Sequence, residues 1–235
     1  LSLDVTAGEF VSIVGPSGCG KSTLFSVLTG VERADAGEVL VDGRPAELGS
    51  PAFAWMPQRD CLLPWRRVDR NVSLGLEVDR VPRAEARRRA AELLSSFGLA
   101  DFARSWPTQL SGGMRQRVAL ARTVAPGREV LLLDEPFGAL DAFTRTELQL
   151  WLERIWELQR WTVLLITHDV REAVLLSDRV LVLGPRPTRV ELEVPVPLPR
   201  PRSLETLTDP RAIDIERQLL SALHVGGPGR TATAP

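Results

Sequence analysis

Tyrosine is missing from this chain of 235 residues, and lysine nearly so: its 29 basic residues are all arginine except Lys21. With 30 acidic residues the formal net charge is -1, which excludes the basic footprint that a nucleic-acid surface needs. Two cysteines, Cys19 and Cys61, exclude a disulfide scaffold and lack metal-ligand spacing, so a reduced, cytosolic setting is expected. No run of about 18 apolar residues is present, which leaves no segment that reads as a membrane span. No secretory leader is visible either. At 44% hydrophobic and 25% charged, the chain can bury a substantial core as one large domain or two small ones.

Short apolar runs alternate with helical patterns. Residues 1–5 already alternate like a strand, and residues 10–14 form a buried-type run before a glycine-rich loop and a helix at 22–29. Further strands are expected at 37–41, 52–56, 130–133, 162–166 and 180–183. Helices are expected at 84–97, with Ala86, Ala90, Leu93, Leu94 and Phe97 on one stripe, and at 114–125, 143–159, 169–176 and 209–223. This order predicts an α/β fold with a largely parallel sheet. Residues 59–110 hold helices but no strong strand, as a helical subdomain inserted in that core would. From Pro185 to Pro201 the prolines become dense and predict an irregular or edge-strand extension. Residues 226–235 are rich in Gly and Pro and are expected to be disordered.

The loop Gly15, Pro16, Ser17, Gly18, Cys19, Gly20, Lys21, Ser22, Thr23 has the spacing of a phosphate-binding loop, with the strand before it and helix after it that such a loop requires. Its amides converge on phosphate oxygens and the helix adds its positive end. Lys21, as a compact ammonium that an arginine cannot easily replace, reaches the outer phosphates, and the Ser22 hydroxyl can ligate Mg2+. Cys19 occupies a variable position, although a thiol at a helix start can be reactive. Asp134 ends the apolar strand at 130–133 and can hold Mg2+; Glu135 follows and can polarise an attacking water as general base. An acidic pair can merely end a strand, but beside a phosphate loop it reads as its chemical counterpart. His168, close behind the strand at 162–166, is placed to meet the terminal phosphate or the water. His224, the other histidine, carries no comparable signal.

The stretch Leu110, Ser111, Gly112, Gly113, Met114, Arg115, Gln116, Arg117 resembles the signature of ATP-binding cassette (ABC) ATPases. Gln58 resembles the family's glutamine loop, Gly138 to Asp141 its D-loop, and His168 its switch histidine. The resemblance implies a P-loop NTPase core with a mixed, largely parallel sheet, an antiparallel N-terminal β-region and an inserted helical subdomain. On that basis residues 1–225 form a single domain, with the core at about 1–58 and 128–200, the helical part at about 59–127 and a C-terminal helix at about 209–223. It implies that two copies bind head to tail, so that ATP and Mg2+ on Lys21, Ser22, Gln58 and Asp134 of one copy meet Ser111, Gly112 and Gly113 of the other. Gln58 then senses Mg2+ and water, and Asp141 acts across the dimer. The family's adenine-stacking aromatic comes from a strand before the loop. No tyrosine is available here, and the stacking residue is expected to lie outside this numbering.

The segment from Asp60 to Gly75, with Leu62, Leu63, Pro64 and Trp65 followed by Asn71 and Val72, is similar to the nitrate, sulfonate and taurine importer ATPases. That implies a transmembrane permease partner, an extracytoplasmic solute-binding protein acting through it, and a peripheral place on the cytoplasmic face of the membrane. Leu62, Leu63 and Trp65 can form a groove for a permease helix or pack inside the helical subdomain. The short proline-rich stretch after Leu183 argues against the longer C-terminal β-domain of sugar importers. The rivals are an exporter or cell-envelope ATPase, a soluble non-transport ABC protein, and a non-catalytic cassette; intact Lys21, Asp134, Glu135 and His168 argue against the last.

Overall fold

The computed structural model describes residues 1–46 and 50–225. The expectation of disorder at 226–235 therefore lies outside the described residues. In chain order the elements are β1 (Phe10–Val14), α1 (Lys21–Leu28), β2 (Leu40–Val41), β3 (Arg44–Pro45), β4 (Phe53–Met56), α2 (Val68–Val72), α3 (Leu74–Val78), α4 (Arg83–Ser96), α5 (Gly112–Val124), β5 (Val130–Asp134), α6 (Ala142–Gln159), β6 (Thr162–Ile166), α7 (Val170–Leu176), β7 (Arg179–Leu183), β8 (Val190–Pro195) and α8 (Pro210–Val225). They divide into two compact units, Leu1–Phe25 with Gln149–Pro235, and Ser26–Leu148.

In the first unit β1 lies between β6 and β7 and is parallel to both, in registers that set Phe10 opposite Val163 and Val11 opposite Arg179. All five residues of β1 are buried, as a strand covered on both faces requires. Its one polar member, Ser12, shares a hydrogen bond with the Ser177 hydroxyl. β8 runs antiparallel to β7 and supplies the edge strand expected of the proline-rich stretch, with Pro195 at its end. Trp156 of α6 is fully buried and meets Phe10 edge-on at 5.7 Å between ring centres. α8 packs on α7 and β8.

In the second unit β4 and β5 pair in parallel, Phe53 with Val130 through Met56 with Leu133. Helices α2 to α5 intervene in the chain between these strands and pack on one another, α5 against α2, α3 and α4. Ala86, Ala90, Leu94 and Phe97 of the expected stripe are buried, whereas Leu93 is half-buried. Gly98 stands at φ +68° just after α4, where the helix ends. Gly75 permits a close approach, since a Cβ there would lie 2.5 Å from Pro126 Cγ.

The parallel pairing in each unit, the antiparallel β8 and the helical insertion give the mixed α/β architecture expected. The antiparallel region near the N-terminus is slighter than expected. It amounts to the hairpin of β2 and β3, two residues each, and residues 1–5 form no strand. Side-chain alternation alone does not make a strand where no neighbouring backbone takes up its N–H and C=O groups.

Candidate functional site

The first unit places the glycine-rich loop at the end of β1. Gly15 is fixed by packing, because a Cβ there would fall 2.8 Å from the Leu183 carbonyl oxygen, a backbone atom of β7. Gly18 at φ +78° and Gly20 at φ +105° turn the chain through left-handed backbone, which favours glycine. Lys21 opens α1 and is 8% exposed. Its Nζ donates to the carbonyls of Gly15 at 2.8 Å and Pro16 at 3.0 Å. These neutral partners hold the ammonium in place without cancelling its charge. Ser22 and Thr23 are exposed in the first turn of α1. Cys19 is 2% exposed with Sγ 3.8 Å from Lys21 Nζ, so its thiol lies under the loop rather than open to reagents. The Thr188 hydroxyl donates to the Cys19 carbonyl, tying the loop to the turn between β7 and β8. Nothing in the sequence singled out Thr188.

His168 is exposed two residues after β6, at the same end of the parallel strands as the phosphate loop. The chain is held on both sides of it. The Thr167 amide donates to Ile13 O of β1 at 3.2 Å. The Thr167 hydroxyl accepts from the Asp169 amide at 3.0 Å. Asp169 caps α7, accepting from the amides of Arg171 and Glu172.

The second unit gathers the remaining candidates. β5 ends in Asp134, 7% exposed. Glu135 follows at φ +44°, a strained value for a side-chain-bearing residue, and its carbonyl accepts from the Gly138 amide at 3.1 Å. Because β4 is parallel to β5, the loop after β4 emerges beside this turn. There Gln58 Nε2 donates to Glu135 Oε2 at 3.2 Å. Asp141 accepts from the amides of Phe143 and Thr144 at the start of α6, both at 3.1 Å. The Thr144 backbone and side-chain hydrogen bonds hold its carboxyl below the ordinary range.

Ser111 is the N-cap of α5, accepting from the Met114 amide at 3.2 Å. The Gly112 and Gly113 amides sit in a first turn whose N–H groups the helix itself cannot satisfy. Both glycines also serve packing: a Cβ on Gly112 would lie 3.3 Å from Leu140 Cδ2, and one on Gly113 2.8 Å from Thr144 Cγ2.

The segment beyond Gln58 is fastened to α5. Arg115 pairs with Asp60 at 3.1 Å. Arg122, its guanidinium lowered by burial, donates to the carbonyls of Asp60 and Cys61, each at 2.6 Å. Asn71, fully buried, then clamps the next turn: its Oδ1 accepts from the Leu63 amide at 2.8 Å, while Nδ2 donates to the carbonyls of Leu63, Arg66 and Arg67. On this clamped turn Leu62 belongs to the core, Leu63 is half-buried and Trp65 is 71% exposed. Leu62 thus follows the packing reading of the segment, and Trp65 does not. Arg115, Arg122 and Asn71 are positioning groups that residue patterns do not reveal, since their partners are backbone atoms and a carboxylate distant in sequence.

The ABC transporter family profile matches residues 1–138. The aliphatic sulfonates import ATP-binding protein SsuB of Cupriavidus necator is 52% identical over 186 residues, 78% of this chain. The chain spans 59% of that relative's length. Among solved structures, the dimeric bacterial ABC transporter cassette MJ0796 superposes with a TM-score of 0.70 at 34% identity, covering 83% of this chain and 88% of that one. Its post-hydrolysis state bound to ADP and Pi gives a TM-score of 0.69 at 32% identity, with the same coverage of both chains.

Proposed function

Because the chain belongs to the ABC transporter family, we propose that it is the nucleotide-binding subunit of an importer, hydrolysing ATP to drive uptake of a small solute of the nitrate, sulfonate or taurine type. The observation that carries this is the glycine loop wrapped on Lys21, a nearly buried ammonium held by two loop carbonyls at the head of α1. The sulfonate import name of the Cupriavidus relative favours an importer over an exporter or a soluble ABC protein.

Gly15 to Thr23 receive the phosphates, with Lys21 Nζ exchanging carbonyls for phosphate oxygens. The donors assigned to Mg2+, the Ser22 hydroxyl, the Gln58 amide oxygen and the Asp134 carboxylate, are hard oxygens of the kind that ion takes. When bound, Mg2+ neutralises charge on the transferring phosphoryl group. Glu135 accepts the proton of the attacking water at its carboxylate, and the Gln58 hydrogen bond to Oε2 orients it for this. His168 positions the terminal phosphate. Ser111, Gly112 and Gly113 of a second, head-to-tail copy close the site and exclude water, with Asp141 at that contact. Trp65 and Leu63 meet a transmembrane permease, which places the subunit at the cytoplasmic face of the membrane; a solute-binding protein delivers the solute. Among the described residues no helix is long and apolar enough to cross a membrane.

The deciding experiment reconstitutes the chain with its permease in vesicles and measures ATPase activity with aliphatic sulfonates, taurine and nitrate. One of these solutes should stimulate Mg2+-dependent turnover. Hydrolysis that persists in Lys21→Ala, or that ignores every solute and permease, would overturn the reading.

A further inference from the structure

α7 is seven residues long and follows directly on His168 and its cap Asp169. A helix of two turns directs whatever precedes it, so the anchoring of its far end bears on where the histidine stands. That end is held by the proline-rich strap after β8. Arg202, 4% exposed, donates through Nη1 to the carbonyls of Val174 at 2.9 Å, Leu175 at 3.4 Å and Ser177 at 2.6 Å. Its Nη2 donates to Val196 O at 2.9 Å and Leu198 O at 3.3 Å within the strap itself. Arg200 donates to Leu176 O at 2.7 Å. These are the carbonyls a helix C-terminus leaves without partners, and two cations satisfy them where the helix dipole favours positive charge.

Glu153 fixes the strap in turn. Fully buried on α6, its Oε1 accepts from the Arg202 amide at 3.1 Å and from Arg200 Nη1 at 2.9 Å. Arg200 also lies 4.0 Å over the Trp156 ring. Burial pulls the Arg202 guanidinium down to about 10, which leaves it charged at neutral pH. On its other side α7 is held by Gln149 Nε2, which donates to Glu172 Oε2 at 2.7 Å. The near end is tied through Asp169, Thr167 and Ile13 O to β1, the strand that runs into the phosphate loop.

We propose that Arg202 is a positioning residue for ATP hydrolysis: by gripping the C-terminal carbonyls of α7 it sets the stand of His168 at the other end. This rests on the assignment of His168 to the terminal phosphate. A merely structural strap would lower thermal stability and scale down active protein without a specific link to His168. A positioning strap acts on the chemical step and through the histidine.

The test is a double-mutant cycle on the full chain with Mg2+ and ATP. Arg202→Gln is expected to lower kcat about tenfold with KM for ATP within about twofold, since misplacement of a positioned group by about 1 Å carries penalties up to about 100-fold. His168→Ala should fall at least as far, and the pair Arg202→Gln/His168→Ala no further than His168→Ala alone. The chain has only two histidines, so ring Cε1–H NMR signals give an independent readout. In Arg202→Gln the His168 signal should shift or broaden while that of His224 stays. Arg202→Lys, which keeps the charge with fewer aligned donors, should lie between wild type and Arg202→Gln, and it replaces Arg202→Gln in the same cycle if that variant fails to fold. Unchanged kcat in the Arg202 variant, additive losses in the pair, or a His168 signal that does not move overturns the positioning role. Full turnover by His168→Ala overturns instead the assignment of His168 on which it rests.

Discussion

A Cβ placed on Gly18 meets nothing within 4 Å, whereas one placed on Gly113 stops 2.8 Å from Thr144 Cγ2. Both glycines belong to turns that open a helix, one with phosphate-loop spacing and one in the stretch that resembles the family signature. Gly18 answers a conformational demand, φ +78°, and keeps open space beside the backbone. Gly113 answers a packing demand and draws α5 against the start of α6. The loop before α1 also carries its own cation, Lys21, and its own tether, Thr188. The turn before α5 uses its serine to cap its own helix, and its second glycine is buried against the start of α6. The first turn is furnished to hold an anion from within one chain. In the proposed two-copy cycle the second meets an anion held by the other copy.

The contrast breaks most sharply if neither turn limits the chemistry. Glu135→Gln leaves both turns intact and removes the proposed base, so turnover should drop about 10²- to 10⁴-fold while ATP binding survives. Single-turnover kinetics beside equilibrium nucleotide binding measures this. Lys21→Ala strips the first turn of its cation and should lower turnover by about 10²- to 10³-fold and weaken nucleotide binding as well. Binding as tight as wild type would dissolve the distinction between the turns.

Stability separates the glycines themselves. Gly113→Ala should destabilise by about 1–3 kcal/mol through overpacking in chemical denaturation. Gly18→Ala carries only backbone strain of about 1–2 kcal/mol, together with a loss of phosphate affinity that Gly113→Ala in isolated protomers should not share. Ser111→Ala removes a helix cap and should cost about 1 kcal/mol.

The smallest effect is acid-dependent. Amide hydrogen bonds hold the Asp141 carboxyl below its unfolded value. The stability it lends is therefore present above the ordinary carboxylate range and is lost as pH falls through the lowered value. Asp141→Asn, which keeps an oxygen for the cap, should flatten the acid limb of the melting temperature against pH. An unaltered limb would assign that acid loss to other carboxylates.

The placement of the candidate residues was legible because each follows an apolar run that forms a strand: Lys21 and Ser22 come after β1, Asp134 closes β5 with Glu135 next, and His168 lies two residues beyond β6. A run of that type reads as a strand covered on both faces. The tethers of the surrounding backbone were not legible. Thr188, Arg202 and Asn71 act on backbone carbonyls and amides, which every residue possesses, so no pairing of side-chain types announces them. Residues 1–5 show the converse, an alternating pattern without a strand. The sequence alone allows Cys19 to be incidental or reactive, and burial under the loop decides that it is not displayed.

Asn71 is the only asparagine in the chain, and the turn that displays Trp65 hangs on both ends of its amide. The carbonyl oxygen takes the Leu63 amide, and the nitrogen serves three carbonyl oxygens. Hydrolysis of that one amide to a carboxylate changes hardly any volume and removes every donor. Three oxygens then face an anion in a buried place, where unpaired charge is dearest. The display of Trp65 is therefore suspended from a single side-chain amide rather than from a ladder of backbone bonds.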